Sequence, residues 1–206
     1  MTTALEAIER LKEGNRRFVA GRRRSGAVSP NRRMRLTDGQ NPFAAILGCS
    51  DSRVPAELVF DQGLGDLFVV RVAGNVAAPS QVGSVEFAAD KFGIELVVVL
   101  GHTRCGAIEA TLKDLDHSAG NPSANLGAIL NRIRPAVRSL PDTDPDADHD
   151  TLVRQAVRAN VRAQVAVLTQ GSEILGRLVE AGRLTVVGAE YDLATGEVEF
   201  LDGPGG

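Results

Sequence analysis

From Phe43 onward the chain alternates short β-branched runs with helical stretches, at 43–48, 54–60, 67–72, 80–92, 95–100 and 105–116. That alternation reads βαβαβα, and strands joined by helical crossovers pair in parallel. The runs LFVVRV and IELVVVLG are nearly continuous in apolarity, as expected of strands covered on both faces. The expected fold is therefore α/β: a mostly parallel central sheet flanked by helices, with an N-terminal helical arm and a C-terminal edge strand.

The segments on either side are simpler to place. Thr3-Ala4-Leu5-Glu6 has the spacing of a capping box and is followed by Ile8, Leu11 and Phe18. An amphipathic helix over about 3–20 is predicted, with a stripe that needs cover. Gly21 to about Asn41 is polar and Arg-rich, contains Pro30 and Gly39, and reads as an extended arm with one short helical turn at 32–37. We read 1–41 as packing on a partner subunit and 42–206 as the α/β core of one single domain, a size that buries a sizeable core. Beyond the core come a helix at 123–138, an acidic stretch at 141–150, helices at 151–170 and 172–181, a strand at 184–190 and an edge hairpin closing at 197–201. Val153, Val157, Val161, Val165 and Leu168 share one helical face. The acidic stretch lacks the glycine and terminal glutamate of a calcium loop and reads as a solvated loop.

A formal charge of −3 and a pI near 5.7 argue against a surface built to neutralise many phosphates, so nucleic acid is not expected as a partner despite the local Arg22-Arg23-Arg24 cluster. No run approaches the roughly 18 apolar residues that cross a bilayer, and the charged N-terminus lacks a signal-peptide core. A cytoplasmic location with no membrane contact is expected, and with it thiols rather than a disulfide.

The chemistry concentrates at two loops. Cys49 follows the apolar run FAAILG, and His102 and Cys105 follow VVVLG as a His-x-x-Cys pair. Both positions lie at the carboxyl edge of the sheet, where open α/β folds collect ligands. Cys105 falls at the first turn of a helix, whose positive end favours a thiolate. Each cysteine alone reads as well as a small buried hydrophobe. Together with His102 they form a zinc set of two thiolates and one imidazole, which leaves a fourth position for water or a carboxylate. Asp51 is such a carboxylate, and Arg53 is spaced to hold it by a bidentate ion pair or simply to form an exposed surface pair. His117 and His149 read as surface residues.

The motifs CSDSRVPAE, GDLFVVRVAGN, GSVEFA and GHTRCGA, in this order and spacing, resemble those of the β-class carbonic anhydrases, as do EGNRRFVAG, DGQNP and VVGAEYDLATGEVEFL. The resemblance spans nearly the whole chain. It implies one zinc per chain on Cys49, His102 and Cys105, and hydroxide on that zinc, oriented by the Asp51–Arg53 dyad, attacking CO2 to give bicarbonate. It implies Asp51 as a conditional fourth ligand in a closed state, and a homodimer or larger homo-oligomer whose partner-facing Gln40, Phe68 and Phe87 line the substrate pocket. Gly101 and Gly106 would shape the ligand loop. Some bacterial relatives carry a regulatory bicarbonate pocket that uses a tryptophan, an arginine and a tyrosine. Here Ile46 replaces the tryptophan beside Arg71 and Tyr191, so a site open at neutral pH is expected. Hydrolysis of CS2 or COS by the same constellation, or zinc binding without turnover, are the competing readings. A zinc nucleobase deaminase would need His-x-Glu and Pro-Cys-x-x-Cys, which are missing.

Overall fold

The computed structural model describes residues 2–25, 27–116, 122–138, 140 and 148–202; His117 and most of the acidic stretch lie outside them. Five strands form one sheet in the order β2-β1-β3-β4-β5, from β1 (Ala44–Gly48), β2 (Leu67–Arg71), β3 (Leu96–His102), β4 (Thr185–Tyr191) and β5 (Val198–Asp202). The first four are parallel, in register Ala44↔Leu67, Ala45↔Val97 and Leu96↔Thr185; β5 runs antiparallel along β4.

Period-2 alternation along β1 and β3 feeds two separate cores. Ala44, Ile46, Leu96, Val98 and Leu100 face one side, where they meet Ala7, Ile8 and Leu11 of α1 (Ala4–Val19) and Val59 and Phe60 at α3 (Ala56–Val59). Ala45, Leu47, Val97 and Val99 face the other, under α4 (Pro79–Phe92), α7 (His149–Gln170) and α8 (Glu173–Glu180). Between α4 and α7 lie α5 (Gly106–Leu115) and α6 (Ala124–Arg138), which close a third apolar cluster around Cys49 and Cys105.

The capping box of α1 is formed: the Glu6 amide donates to Thr3 Oγ1, and the Thr3 amide donates to Glu6 Oε2 at 2.8 Å. Ile8 and Leu11 of its apolar stripe are buried against this chain's own sheet, and Phe18 is partly buried beside them. Helix α2 (Pro30–Arg35) starts two residues earlier than expected because Ser29 accepts from the Arg32 amide and Pro30 suits the first helical position. The arm is pinned to its own chain as well, through Arg32 on Asp66 (2.8 Å) and the Arg24 amide on Asp61 (3.1 Å).

Gly14 sets how closely α1 approaches α3. A Cβ there would stand 1.8 Å from the Phe60 carbonyl oxygen, a backbone atom that cannot swing aside. Gly14→Ala is expected to destabilise by about 3 kcal/mol, the upper end of the overpacking range. In a chain of this size that lowers Tm by roughly 6–12 °C, checked by calorimetry.

Candidate metal centre

Strand β1 is followed by β2 on one side and, after α4, by β3 on the other. The order therefore reverses between β1 and β3, and the crevice at their carboxyl ends is the position where such sheets bind ligands. Cys49 is the first residue past β1. His102 was expected in the loop after β3 but is its last residue, because the ladder to β4 continues to the pair His102↔Tyr191. Cys105 is the N-cap of α5, one position ahead of the first turn.

The ligand atoms of Cys49, His102 and Cys105 lie within 4.8 Å of one another, and all three residues are buried. His102 is fully buried. Its Nδ1 faces the Thr103 carbonyl at 2.9 Å and can only donate there, so Nε2 is left as the bare lone pair. That Nε2 has no hydrogen-bond partner. A buried, unpartnered imidazole nitrogen aimed at two sulfur atoms fits a tetrahedral zinc better than it fits a metal-free core, where it would be a desolvated acceptor with nothing to accept.

The thiols are both free, and they behave as a pair. A hydrogen bond from Cys105 draws the Cys49 pKa down to about 4 against the opposing effect of burial, with help from the Asp51 and Gly74 amides. Cys105, donating to that thiolate and buried beside it, is pushed far above the ordinary thiol range, although the Ala107 and Ile108 amides at the start of α5 pull the other way. Zinc would take both sulfurs as thiolates, so loading would release the thiol protons.

Asp51 and Arg53 make the bidentate pair expected of them, Nε to Oδ1 at 2.9 Å and Nη2 to Oδ2 at 2.7 Å. The Arg53 hydrogen bonds hold the Asp51 carboxyl well below the usual carboxylate range. Asp51 Oδ2 is nevertheless only 3.9 Å from His102 Nε2, at the rim of the three-donor cluster. Arg104, in the turn between His102 and Cys105, adopts φ +53°, a left-handed conformation that costs a non-glycine residue about 1–2 kcal/mol. The Thr103 amide bond to the Tyr191 carbonyl (3.0 Å) and the Leu193 amide bond to Thr103 Oγ1 (3.0 Å) anchor that turn.

Other expected residues are distributed differently. Phe68 and Phe87 join Phe92 in a ring cluster with centroids 5.8–6.2 Å apart, and Gln40 is exposed ahead of β1. Phe87 is 53% exposed. Arg71, considered for a regulatory pocket, instead clamps the ligand loop by donating to the Cys49 carbonyl at 2.9 Å and the Asp51 carbonyl at 2.7 Å. Gly101 lies inside β3, where a Cβ would meet Val161 at 2.5 Å, so it serves the approach of α7 rather than the loop; Gly106 has open space around it. His149 is exposed at the start of α7.

Sequence reasoning missed Arg71 as a clamp. It also missed Gly74, whose amide donates to Cys49 Sγ at 3.3 Å, and the buried Asn160 and Gln164 beneath it. The one available signal was a pair of amide residues set into the valine stripe of α7.

The family model for carbonic anhydrase matches residues 44–198. Carbonic anhydrase 2 of Mycobacterium tuberculosis is 38% identical over 98% of this chain and 94% of its own length, and a carbonic anhydrase of Mycolicibacterium smegmatis is 41% identical over 94% and 91%. Among solved structures, the β-carbonic anhydrase CafA of Aspergillus fumigatus superposes with a TM-score of 0.70 at 30% identity, covering 84% of this chain and 81% of that one. The sheet order, the two cysteines and histidine at its switch point and these full-length matches agree, and the chain belongs to the β-carbonic anhydrase family.

Proposed function

We propose that this protein is a zinc-dependent carbonic anhydrase (carbonate dehydratase), a lyase that reversibly hydrates carbon dioxide to bicarbonate and a proton. The observation that carries the reading is the buried trio Cys49, His102 and Cys105, with its unpartnered His102 Nε2, beside the Asp51–Arg53 pair in a chain of this family. The three donors would hold one zinc and leave a fourth position open. Zinc in such a site lowers the pKa of its water toward neutrality and so supplies a nucleophile at ordinary pH.

The chain's own residues do the rest. Asp51, ionised by Arg53, accepts a hydrogen bond from the attacking water and orients it. Arg53 keeps the carboxylate from turning inward; were that pair to open, Asp51 would be placed to serve as the fourth ligand and close the site. Gln40 donates its amide to a substrate oxygen, while Phe68 and Phe87 wall the pocket for an uncharged linear molecule. These three act across a homodimer interface, a reading supported by the exposure of Phe87, Met34 and Val28 on a single chain. The chain works as one domain, with its arm reaching the partner. We place it in the cytoplasm, in keeping with the free thiols; among the described residues no helix is long and apolar enough to cross a membrane.

Stopped-flow hydration of CO2 by metal-analysed protein, between about pH 6.5 and 9 to bracket the expected pKa of metal-bound water, tests this reading. Fast hydration that rises with pH, at about one zinc per chain, is the expected result. Zinc-loaded protein inert to CO2 at every pH would overturn it, and CS2 would then be the next substrate.

A further inference from the structure

Burying two primary amides in an otherwise apolar helix stripe is unfavourable unless every group finds a partner. Asn160 and Gln164 of α7, 1% and 2% exposed, stand one turn apart among Val153, Val157, Val161 and Leu168. Their partners form a single chain of bonds. Gln164 Oε1 accepts from the Ala77 amide at 2.8 Å, Gln164 Nε2 donates to Asn160 Oδ1 at 3.0 Å, and Asn160 Nδ2 donates to the Gly74 carbonyl at 2.9 Å. The same residue reaches the metal centre from its other side, because the Gly74 amide donates to Cys49 Sγ at 3.3 Å.

The loop that carries this bond turns through left-handed backbone and is tightly enclosed. Gly74 and Asn75 have φ of +68° and +45°, and a Cβ on Gly74 would stand 2.8 Å from Ile133 and 3.1 Å from Ala107. Successive left-handed residues do not hold themselves in place. Besides the turn bond from the Asn75 amide to the Val72 carbonyl (3.0 Å), the loop is held at the Gly74 carbonyl and the Ala77 amide, and both of these grips come from the two buried amides of α7.

We propose that Asn160 and Gln164 are positioning residues of the metal centre, holding the 74–77 loop so that the Gly74 amide donates to the Cys49 thiolate and orients it for the metal. The inference rests on Cys49, His102 and Cys105 binding zinc. An outer partner of this kind keeps a ligand in its binding geometry, and losing one typically weakens metal binding by about 10–100-fold.

The test uses the full chain in two measurements: zinc affinity by competition with a chromophoric chelator, and NMR of protein loaded with cadmium-113, in which a metal–proton coupling to the Gly74 amide reports the N–H···S bond directly. Asn160→Ala is expected to lose the coupling and to bind zinc about 10–100-fold more weakly. Leu168→Ala, which hollows the same helix without touching the amide chain, is expected to lower Tm yet keep both coupling and affinity. Should Asn160→Ala not fold, Gln164→Met, close to glutamine in volume but unable to make either bond, takes its place with the same expectation. A folded amide variant with wild-type coupling and affinity would overturn the proposal. Equal loss of affinity in Leu168→Ala would overturn it too, since the effect would then be mere loosening. Wild-type protein that takes up no zinc would overturn the metal-centre reading itself, a result distinct from zinc-loaded wild type with an unaffected variant.

Discussion

Cys105→Ser is expected to fold, to carry far less than one zinc per chain, and to lose nearly all CO2 hydration, because the nucleophile depends on the bound metal. A serine hydroxyl cannot supply the anionic sulfur that closes the donor triangle, and the nearest other ligand group, the Asp51 carboxylate, is held by two Arg53 bonds. Serine is at the same time a preferred residue at the N-cap of α5, so the helix should hold its place. Metal analysis, circular dichroism and stopped-flow rates on one preparation separate the two effects. A variant that kept one zinc and most of its rate would remove Cys105 from the metal centre.

Asp51→Asn divides metal binding from turnover in the opposite sense. The expected protein keeps its zinc and loses about 10²–10⁴-fold in kcat, the range associated with one positioned proton acceptor. The pH behaviour follows from the sign of the shift. Asp51 is depressed by the two Arg53 bonds, so its contribution is fully present above the unfolded carboxylate pKa near 4 and is lost only as pH falls through a still lower folded value. The carboxylate is therefore ionised throughout the neutral range. Any rate midpoint near neutrality belongs to another group and should stay where it is in the asparagine variant while the plateau drops. A midpoint that vanished with Asp51 would contradict this assignment.

Elements of the core were readable because they are set by local pattern. The β-branched runs at 67–72 and 95–100 became β2 and β3, and the valine stripe of α7 packs as its spacing indicates, with Val165 only partly buried at its margin. Where the boundaries moved, tertiary pairing moved them: β3 gains Gly101 and His102 only because β4 lies beside it up to Tyr191. The α1 stripe was legible as apolar, but what it covers was not, since hydrophobic periodicity names a face and not its neighbour.

The same division runs through the site. Cys49, Asp51, Arg53, His102 and Cys105 could be picked out from the sequence, because two thiolates, an imidazole and a carboxylate–guanidinium pair are scarce side-chain chemistry at the ends of recognisable strands. That chemistry pointed to the metal, while the α/β class came from the alternation of strands and helices and the family from the resemblance of whole motifs. The supports were settled only by folding. Arg71 reaches the Cys49 and Asp51 carbonyls across neighbouring strands, and Asn160 meets the Gly74 carbonyl from 86 residues away. Such bonds join backbone groups to side chains with no local signature, and they exist only once the strand order β2-β1-β3-β4 has placed one loop beneath another helix.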